Sequence, residues 1–218
     1  AAIRSRVVDP EQRARVRDGI VYAMINERGG NDPSKVVLAE CRWDPSLNGL
    51  DLSEVLRLRE IDVTIENAAE LIMELEYAGG CSVVYHAMSM QDVDRIMVHP
   101  RTMIASDGGV MAPGDNSPHP RNYGSFARVL GVFVRERELL PLPTAIHKMT
   151  MMPADRINLA DRGRIDVGAI ADIAVFDPNE IIDTATFEEP HQYALGVHHV
   201  FVNGEAVLLD KAMTGRRP

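Results

Sequence analysis

Near the middle of the chain, a carboxylate is followed at once by two glycines, in the sequence Ser106-Asp107-Gly108-Gly109. The glycines cost backbone entropy and add no packing, and an ionised aspartate at the end of a buried strand must be paired, solvated or used. Asp107 is therefore the first candidate for chemistry. It suits a general base within hydrogen-bond reach of a water or a substrate proton, or a metal ligand with a hard oxygen. The open alternative is that Asp107 only caps the following turn.

The loop that follows Asp107 offers groups suited to substrate binding. The guanidinium of Arg121 is a rigid fork that matches a carboxylate with two hydrogen bonds, and His119 suits a metal or a substrate contact. Loops on a rigid scaffold are where reactive groups usually lie. The alternative is an exposed loop in which Arg121 makes an ordinary ion pair. Ser106 and Ser117 lack a G-x-S-x-G setting, which disfavours a serine nucleophile.

The seven histidines form no motif that binds a metal. No two of them are separated by a single residue, and the chain has neither an H-E-x-x-H sequence nor a glycine-rich phosphate loop. His86 lies in an apolar run and is expected to be a core histidine with its hydrogen bonds satisfied. His198 and His199 are adjacent on an expected strand, so they point to opposite faces and do not readily share one metal ion.

The elements that must position Asp107 alternate between strands and helices. Residues 102–105 (TMIA) predict a buried strand that ends just before the carboxylate, and residues 36–39 and 82–87 predict two more. Apolar spacing and capping residues predict helices from residue 10 to about 27, and at 52–60, 64–78, 89–98, 123–137, 143–150 and 153–159. In the fifth of these helices, Phe126 is expected to be buried. This alternation indicates βαβ units and a parallel sheet, and reactive groups in βα barrels lie at the C-terminal ends of strands.

The pattern changes after Gly163. Short β runs appear at residues 173–176 and 200–202, and residues 206–208 are apolar again. Between the last two runs stands Asn203-Gly204, the strongest two-residue hairpin signal. The last fifty or so residues are therefore expected to form a small antiparallel sheet, as a second architectural unit.

Composition excludes several classes of protein. The 218 residues include 23 Lys and Arg against 32 Asp and Glu, a net charge of −9, which argues against binding nucleic acid. No apolar run approaches the length of a membrane helix.

Cys41 and Cys81 are far apart in the sequence, so we expect two separate buried thiols and a cytoplasmic protein. The chain begins at Ala1 without a methionine, and we expect it to be part of a longer protein.

Several segments together resemble one family. Residues 103–108 (MIASDG) and 119–121 (HPR) resemble the last barrel strand and following loop of D-aminoacylases, the N-acyl-D-amino-acid deacylases of the amidohydrolase superfamily. The pattern ADIxxFD at 171–177 is shared by many amidohydrolases, whereas SDG and HPR together with FEEPHQY are far more specific. Further similar segments are residues 43–49, 88–100, 147–154, 163–178, 186–193 and 202–204.

The resemblance implies an activity. Enzymes of this family hydrolyse the amide bond of N-acyl-D-amino acids to a D-amino acid and a carboxylate, using a zinc ion that activates a water and polarises the carbonyl. Asp107 is expected to take the proton of that water and pass it to the leaving amine, and to stand near or weakly bind a second metal. Ser106, Gly108, His119 and Arg121 are the expected substrate contacts.

The resemblance also implies a fold class. It is α/β, with the last strands and helices of a partial TIM-like (β/α) barrel followed by part of a small antiparallel β-sandwich. Residues 1–162 are expected to belong to the barrel, with an inserted segment at about 10–87, and residues 163–218 to the sandwich. The family's H-x-H, ligand cysteine, later metal histidines and substrate-binding lysine have no counterpart here. Most zinc ligands are therefore expected upstream of Ala1, in the remainder of the same protein.

Two other hypotheses remain open. The substrate could instead be a cyclic or peptide amide, as for dihydroorotase-like, hydantoinase-like or prolidase-like amidohydrolases. Alternatively, the chain is a catalytically silent scaffold, since it holds one catalytic carboxylate and no recognisable metal cage. The isolated polypeptide is expected neither to bind zinc tightly nor to hydrolyse substrate, and to aggregate or dimerise through exposed strand edges. The expected ligand is a small molecule, with no nucleic acid and no membrane.

Overall fold

The computed structural model describes residues 9–28, 30–110, 112–114 and 116–218, so the first eight residues of the predicted barrel segment lie outside it. The described residues form two compact units. The first unit comprises residues 9–88, 112–119 and 187–190, and the second comprises residues 89–110, 120–186 and 191–218. The division into barrel and sandwich portions between residues 162 and 163 stays a prediction.

Three helices of the first unit begin where the sequence predicts them. Each follows a residue whose side chain accepts hydrogen bonds from backbone N–H groups of the first turn, which the helix itself leaves unpaired. In the second helix the cap is reciprocal, because Glu54 also accepts from the backbone N–H of Asp51. The helices and their caps are α1 (Pro10–Asn26) after Asp9, α2 (Leu52–Leu58) after Asp51 and α3 (Ile65–Ala78) after Thr64.

The first unit contains a two-stranded antiparallel sheet. β1 (Val36–Glu40) pairs with β2 (Ser82–Tyr85), with Val36 opposite Tyr85. The predicted parallel sheet is therefore wrong for these strands, because alternation of elements along the chain does not fix the direction in which the second strand returns. Strand and helix side chains share one buried core, which includes Val36, Leu38, Leu52, Val55, Leu56, Ala68 and Leu71.

Cys41 and Cys81 form a disulfide bond in this unit. Their Cα atoms lie 4.4 Å apart, across a sequence separation of 40 residues. The expectation of two separate buried thiols is therefore wrong. Cys41 follows β1 and Cys81 precedes β2, and antiparallel pairing brings those two strand ends together. The spacing of the two cysteines in the sequence does not predict this bond, because the bond depends on the direction in which β1 and β2 pair.

The second unit contains α4 (Met90–Val98), α5 (Arg121–Arg128), a π-helical segment (Val129–Glu136), α6 (Leu142–Met149) and α7 (Met151–Arg156). Phe126, predicted to be buried on α5, is 45% exposed. The buried residues of α5 and the π-helical segment are Gly124, Ala127, Val129, Leu130, Gly131 and Phe133. A Cβ on Gly131 would lie 2.5 Å from the carbonyl oxygen of Ile181, so the chain at Ile181 approaches Gly131 closely.

The predicted small antiparallel sheet is confirmed. It has four strands in sequence order, and each strand pairs antiparallel with the next, through a short turn or a longer connection. At the central turn Asn203 and Gly204 have φ angles of +50° and +82°, the left-handed pair that a type I′ hairpin requires. The strands are β3 (Ile173–Phe176), β4 (Val197–Val202), β5 (Glu205–Leu209) and β6 (Ala212–Met213).

Asp172 ties this hairpin to the chain before β3. Its carboxylate accepts a 2.8 Å hydrogen bond from the backbone N–H of Asn203 and forms an ion pair with Arg162. Arg162 also donates to the side-chain oxygen of Asn203 at 2.8 Å. The Asn203 N–H, together with Arg162, lowers the pKa of Asp172 from its ordinary value of 3.8. Asp172, the first aspartate of the ADIxxFD pattern, therefore has a structural role in this unit.

Replacing Asp172 by Asn is expected to change how stability depends on pH. A depressed pKa contributes stability that is present above about pH 4 and is lost as the pH falls through the folded-state value. We expect Asp172→Asn to cost about 1 kcal/mol at pH 7, since the pair is one-third exposed, and to flatten the loss on acidification. Urea unfolding at pH 7 and pH 3 measures both. Asp166→Asn is the control, and an unaltered acid slope in Asp172→Asn would refute the assignment.

The described residues contain two antiparallel sheets and no closed barrel. The α/β class is therefore found, while a barrel is not complete within this part of the chain. None of the helices in the described ranges combines the length and the apolarity that spanning a membrane requires.

Candidate active site

Asp107 lies in an extended segment, residues 102–110, that forms no strand. The buried strand predicted at 102–105 is therefore wrong: its side chains are half-buried or exposed. Pairing requires a neighbouring strand, and within the described ranges none lies beside this segment. The backbone N–H of Ile104 instead donates to the carbonyl oxygen of Lys148 on α6, at 3.0 Å. Apolar residues in a row indicate burial and say nothing of a pairing partner.

The backbone of Asp107 adopts a conformation that few residues accept. Its φ angle is +48°, in the left-handed region that costs a residue with a Cβ about 1–2 kcal/mol and that Asp and Asn tolerate best. The side chain is 84% exposed, so burial does not offset this cost. A strained backbone at an exposed carboxylate is a pattern found at functional sites.

Arg121 is the ion-pair partner of Asp107. Its Nη2 atom lies 2.9 Å from Oδ2 of Asp107, and 43% of the Arg121 side chain is exposed. An exposed pair of this kind contributes about 0–1 kcal/mol to stability. Its main effect is therefore to orient the carboxylate. Arg121 is the first residue of α5, so its guanidinium reaches Asp107 from the start of that helix.

The glycines after Asp107 contact the start of α5. A Cβ on Gly108 would lie 2.8 Å from the carbonyl oxygen of Arg121 and 3.1 Å from Cα of Asn122. The backbone N–H of Gly109 donates to Oδ1 of Asn122 at 2.9 Å. Only a residue without a side chain allows this approach at position 108. The close contact brings Asp107 within reach of Arg121.

Three of the four expected substrate contacts, Ser106, Gly108 and Arg121, lie near Asp107. Ser106 accepts a 3.2 Å hydrogen bond from the backbone N–H of Gly108 through its Oγ atom, so it shapes the turn. Arg121 pairs with the carboxylate itself. Direct contact of Ser106, Gly108 or Arg121 with a substrate stays a prediction.

His119 belongs to the other unit. There its ring packs edge-on against Phe187, with ring centroids 5.0 Å apart, and His86 packs against the same phenyl ring at 4.4 Å. His86 is half-buried and its backbone N–H donates to the carbonyl oxygen of Lys35 at 2.8 Å. His119 as a substrate contact stays a prediction.

Sequence reasoning assigned no role to two groups that the structure makes prominent. On α5, Tyr123 hydrogen-bonds through its hydroxyl to Nδ1 of His191 at 2.7 Å, and its ring packs against Tyr193. Lys148 is a buried lysine whose Nζ donates to two backbone carbonyls. The FEEPHQY segment contains His191 and Tyr193, so its resemblance to the family could have pointed to the contacts of Tyr123. Lys148 lies in the similar segment 147–154, but its residue type predicts no burial, because lysine normally indicates an exposed position.

A zinc site does not fit the described residues. Nowhere in the described ranges do three or more His, Cys, Asp or Glu side chains come together in a group that could hold a metal ion. Cys41 and Cys81 are joined to each other and offer no thiolate. Asp107 has Arg121 beside it, and a cation next to the carboxylate opposes the binding of a second cation.

The site can move a proton and bind an anion. Asp107 presents a carboxylate that is open to solvent and oriented by an arginine, which suits it to accept a proton from a water. The guanidinium of Arg121 is a planar fork of N–H donors, a geometry that matches a carboxylate. A proton acceptor beside an anion-binding group suits hydrolysis of a substrate that carries a carboxylate.

Comparison with known proteins identifies the family. Residues 64–208 match the model of the amidohydrolase family. The chain therefore belongs to the amidohydrolase family. It is 42% identical over 182 residues to the D-aminoacylase of Alcaligenes xylosoxydans xylosoxydans, an alignment that covers 84% of this chain and 35% of that protein.

Solved structures agree with this placement. A structure of D-aminoacylase with a binuclear metal centre matches 83% of this chain and 36% of its own, with a TM-score of 0.73 and 40% identity. The N-acyl-D-glutamate deacylase of Bordetella bronchiseptica, complexed with zinc and a phosphonate inhibitor, matches 88% of this chain and 40% of its own, with a TM-score of 0.70 and 32% identity. The chain thus spans about 35–40% of the length of these relatives.

Proposed function

We propose that this chain supplies the proton-transfer part of an active site that hydrolyses the amide bond of N-acyl-D-amino acids to a D-amino acid and a carboxylate. The observation that carries the proposal is the exposed carboxylate of Asp107, held at φ +48° and paired with Arg121. Similarity to D-aminoacylase and to an N-acyl-D-glutamate deacylase supports the substrate class.

Asp107 acts first as a base and then as an acid in the proposed reaction. As a water oxygen bonds to the amide carbon, the carboxylate takes one proton from that water. When the bond between carbon and nitrogen breaks, Asp107 returns the proton to the nitrogen, which leaves as the free amine. The Asp107 carboxylate is ionised at the end of the cycle, as at its start, so this one group serves as base in the first step and as acid in the second.

Arg121 is the proposed partner for the α-carboxylate of the substrate. In the structure it already holds a carboxylate, that of Asp107, at 2.9 Å. A guanidinium offers donors along two edges, in a planar fork that matches a carboxylate. This arrangement sets the amide of the substrate near the proton acceptor, which is the positioning that lowers the barrier of such a reaction.

A substrate panel tests this proposal. The protein that contains this chain is assayed with N-acetyl-D- and N-acetyl-L-amino acids, and with the ring amides dihydroorotate and hydantoin. We expect release of free amino acid from the D series, at least a hundredfold (about 3 kcal/mol) above the L series and the ring amides. Chiral chromatography of the products measures this directly.

The panel also separates the competing hypotheses. Strong preference for a ring amide would overturn the proposed substrate class, and hydrolysis of the L series alone would overturn its stereochemistry. A folded protein that hydrolyses no member of the panel would favour the silent scaffold. N-Acetyl-D-glutamate and N-acetyl-D-leucine are matched members of the panel, because they separate a preference for acidic side chains from the shared chemistry of the D series.

A further inference from the structure

Lys148 is unusual among the charged residues of the described chain because it is only 2% exposed. Lysine is almost never fully buried unless it is paired. It lies on α6 beside Ile146 and Met149, which pack against the apolar core of the second unit. This burial lowers the pKa of the Lys148 ammonium below its ordinary value. An ammonium in such surroundings needs hydrogen-bond partners.

The partners of Lys148 all lie on the segment that leads to Asp107. Its Nζ donates to the carbonyl oxygen of His99 at 2.6 Å and to that of Thr102 at 2.7 Å. Its own carbonyl oxygen accepts from the backbone N–H of Ile104 at 3.0 Å. One residue thus holds three successive points of the chain, and the last of them is three residues before Asp107, or about 10 Å of extended chain.

The hydrogen bonds of Lys148 hold residues 99–104 in the absence of hydrogen bonds to a neighbouring strand. Residues 102–110 belong to no strand, so no row of backbone hydrogen bonds fixes their path. After Ile104 the next described backbone donors are the N–H groups of Gly108, which bonds back to Oγ of Ser106, and of Gly109, which bonds to Asn122 on α5. The position of Asp107 is therefore set from one side by α5 and from the other side by Lys148.

A purely structural role does not account for this lysine well. An apolar side chain of similar volume would fill a buried position at less cost than an ammonium, whose desolvation is only partly offset by two carbonyls. The ammonium makes directed bonds that an apolar residue cannot make, to the carbonyls of His99 and Thr102, three residues apart in one turn. The turn is also closed by the backbone N–H of Thr102, which donates to His99 at 3.1 Å.

We propose that Lys148 is a positioning residue for Asp107, holding residues 99–104 so that the carboxylate meets its substrate at the correct place. The inference rests on the proposed role of Asp107 in proton transfer. Lys148 does not itself touch the reacting atoms. Its removal is expected to leave Arg121 in place on α5 and to misplace the proton acceptor, which lowers kcat and changes KM little.

The first test measures position without activity. In the protein that contains this chain, Lys148→Met removes the donors and keeps the volume, the helix and the backbone carbonyl. Amide hydrogen exchange at Thr102 and Ile104, whose backbone N–H groups are hydrogen-bonded, is expected to accelerate at least tenfold. Ala145→Gly is the matched control, because it loosens the same helix at a fully buried position and leaves the Nζ bonds intact. Unchanged exchange at these two amides in Lys148→Met would overturn the proposal.

The second test connects position to catalysis through a double-mutant cycle. Lys148→Met is expected to lower kcat 10- to 100-fold with KM within threefold, and to lower it less than threefold further in an Asp107→Asn background. An equal loss in both backgrounds would show a general structural role and overturn the proposal. If Asp107→Asn alone leaves kcat unchanged, the proposed function fails, and the exchange measurement still decides whether Lys148 positions the segment. Lys148→Gln, which keeps an NH₂ donor, replaces Lys148→Met if that variant does not fold.

Discussion

Replacing Asp107 by Asn is expected to lower kcat/KM for an N-acetyl-D-amino acid by about 10²–10⁴-fold, the usual contribution of a positioned general acid–base group. Asparagine cannot take up the proton of the attacking water. It does tolerate the left-handed backbone of this position, where φ is +48°, and its side-chain oxygen can still accept from Arg121. The loss therefore reports proton transfer and not folding. Initial rates at several substrate concentrations measure it.

The chain offers a closely matched control for this variant. Asp210 is also an aspartate at positive φ, +49°, and its side chain is 87% exposed. It lies in the turn between β5 and β6, away from the segment that bears Asp107. Asp210→Asn is expected to keep kcat/KM within twofold. A rate for Asp107→Asn within threefold of the unaltered protein would remove Asp107 from the mechanism.

Gly108→Ala is expected to lower kcat by about 10–10²-fold, because a shift of about 1 Å in a catalytic group can cost 10²-fold. The added Cβ would lie 2.8 Å from the carbonyl oxygen of Arg121 and 3.1 Å from Cα of Asn122. Both neighbours are backbone atoms of α5, so no side-chain rotation relieves the contact. The turn must move away from the helix, which separates Asp107 from the guanidinium that orients it.

The adjacent glycine provides the control for this substitution. A Cβ on Gly109 would meet nothing within 4 Å, so Gly109→Ala adds the same methyl group to the same turn without a collision. We expect Gly109→Ala to change kcat less than threefold. Equal losses in the two variants would indicate a need for flexible glycines, and equal retention of activity would contradict the close contact between Gly108 and α5.

Local features of the fold could be predicted from the sequence because their causes are local. A capping side chain such as Asp51 or Thr64 satisfies donors within its own first turn. Asn203-Gly204 fixes a hairpin through its own backbone angles. Features that depend on distant segments were predicted wrongly: the direction of β1 against β2, the pairing of Cys41 with Cys81, and a strand at residues 102–105.

In the candidate site, too, the residues could be predicted from the sequence, whereas their contacts could not. Asp107 and Arg121 were named as candidates from residue type and spacing, since a carboxylate before two glycines is costly without a use and an arginine fork matches a carboxylate. Their 2.9 Å pairing could not be predicted, because it depends on the approach of Gly108 to α5. Lys148 was not identified, because burial of a lysine is a property of the tertiary structure and leaves no pattern in the neighbouring residues.

The most direct test of the role of Asp107 is chemical rescue of Asp107→Gly. Glycine accepts the φ of +48° at this position and leaves room for a small carboxylate. We expect this variant to lose at least a hundredfold in kcat/KM (about 3 kcal/mol), and to recover part of that loss as formate or acetate is added, while Asp210→Gly shows neither effect. Hydrolysis by Asp107→Gly at a rate near that of the unaltered protein, without added carboxylate, would contradict proton transfer by Asp107.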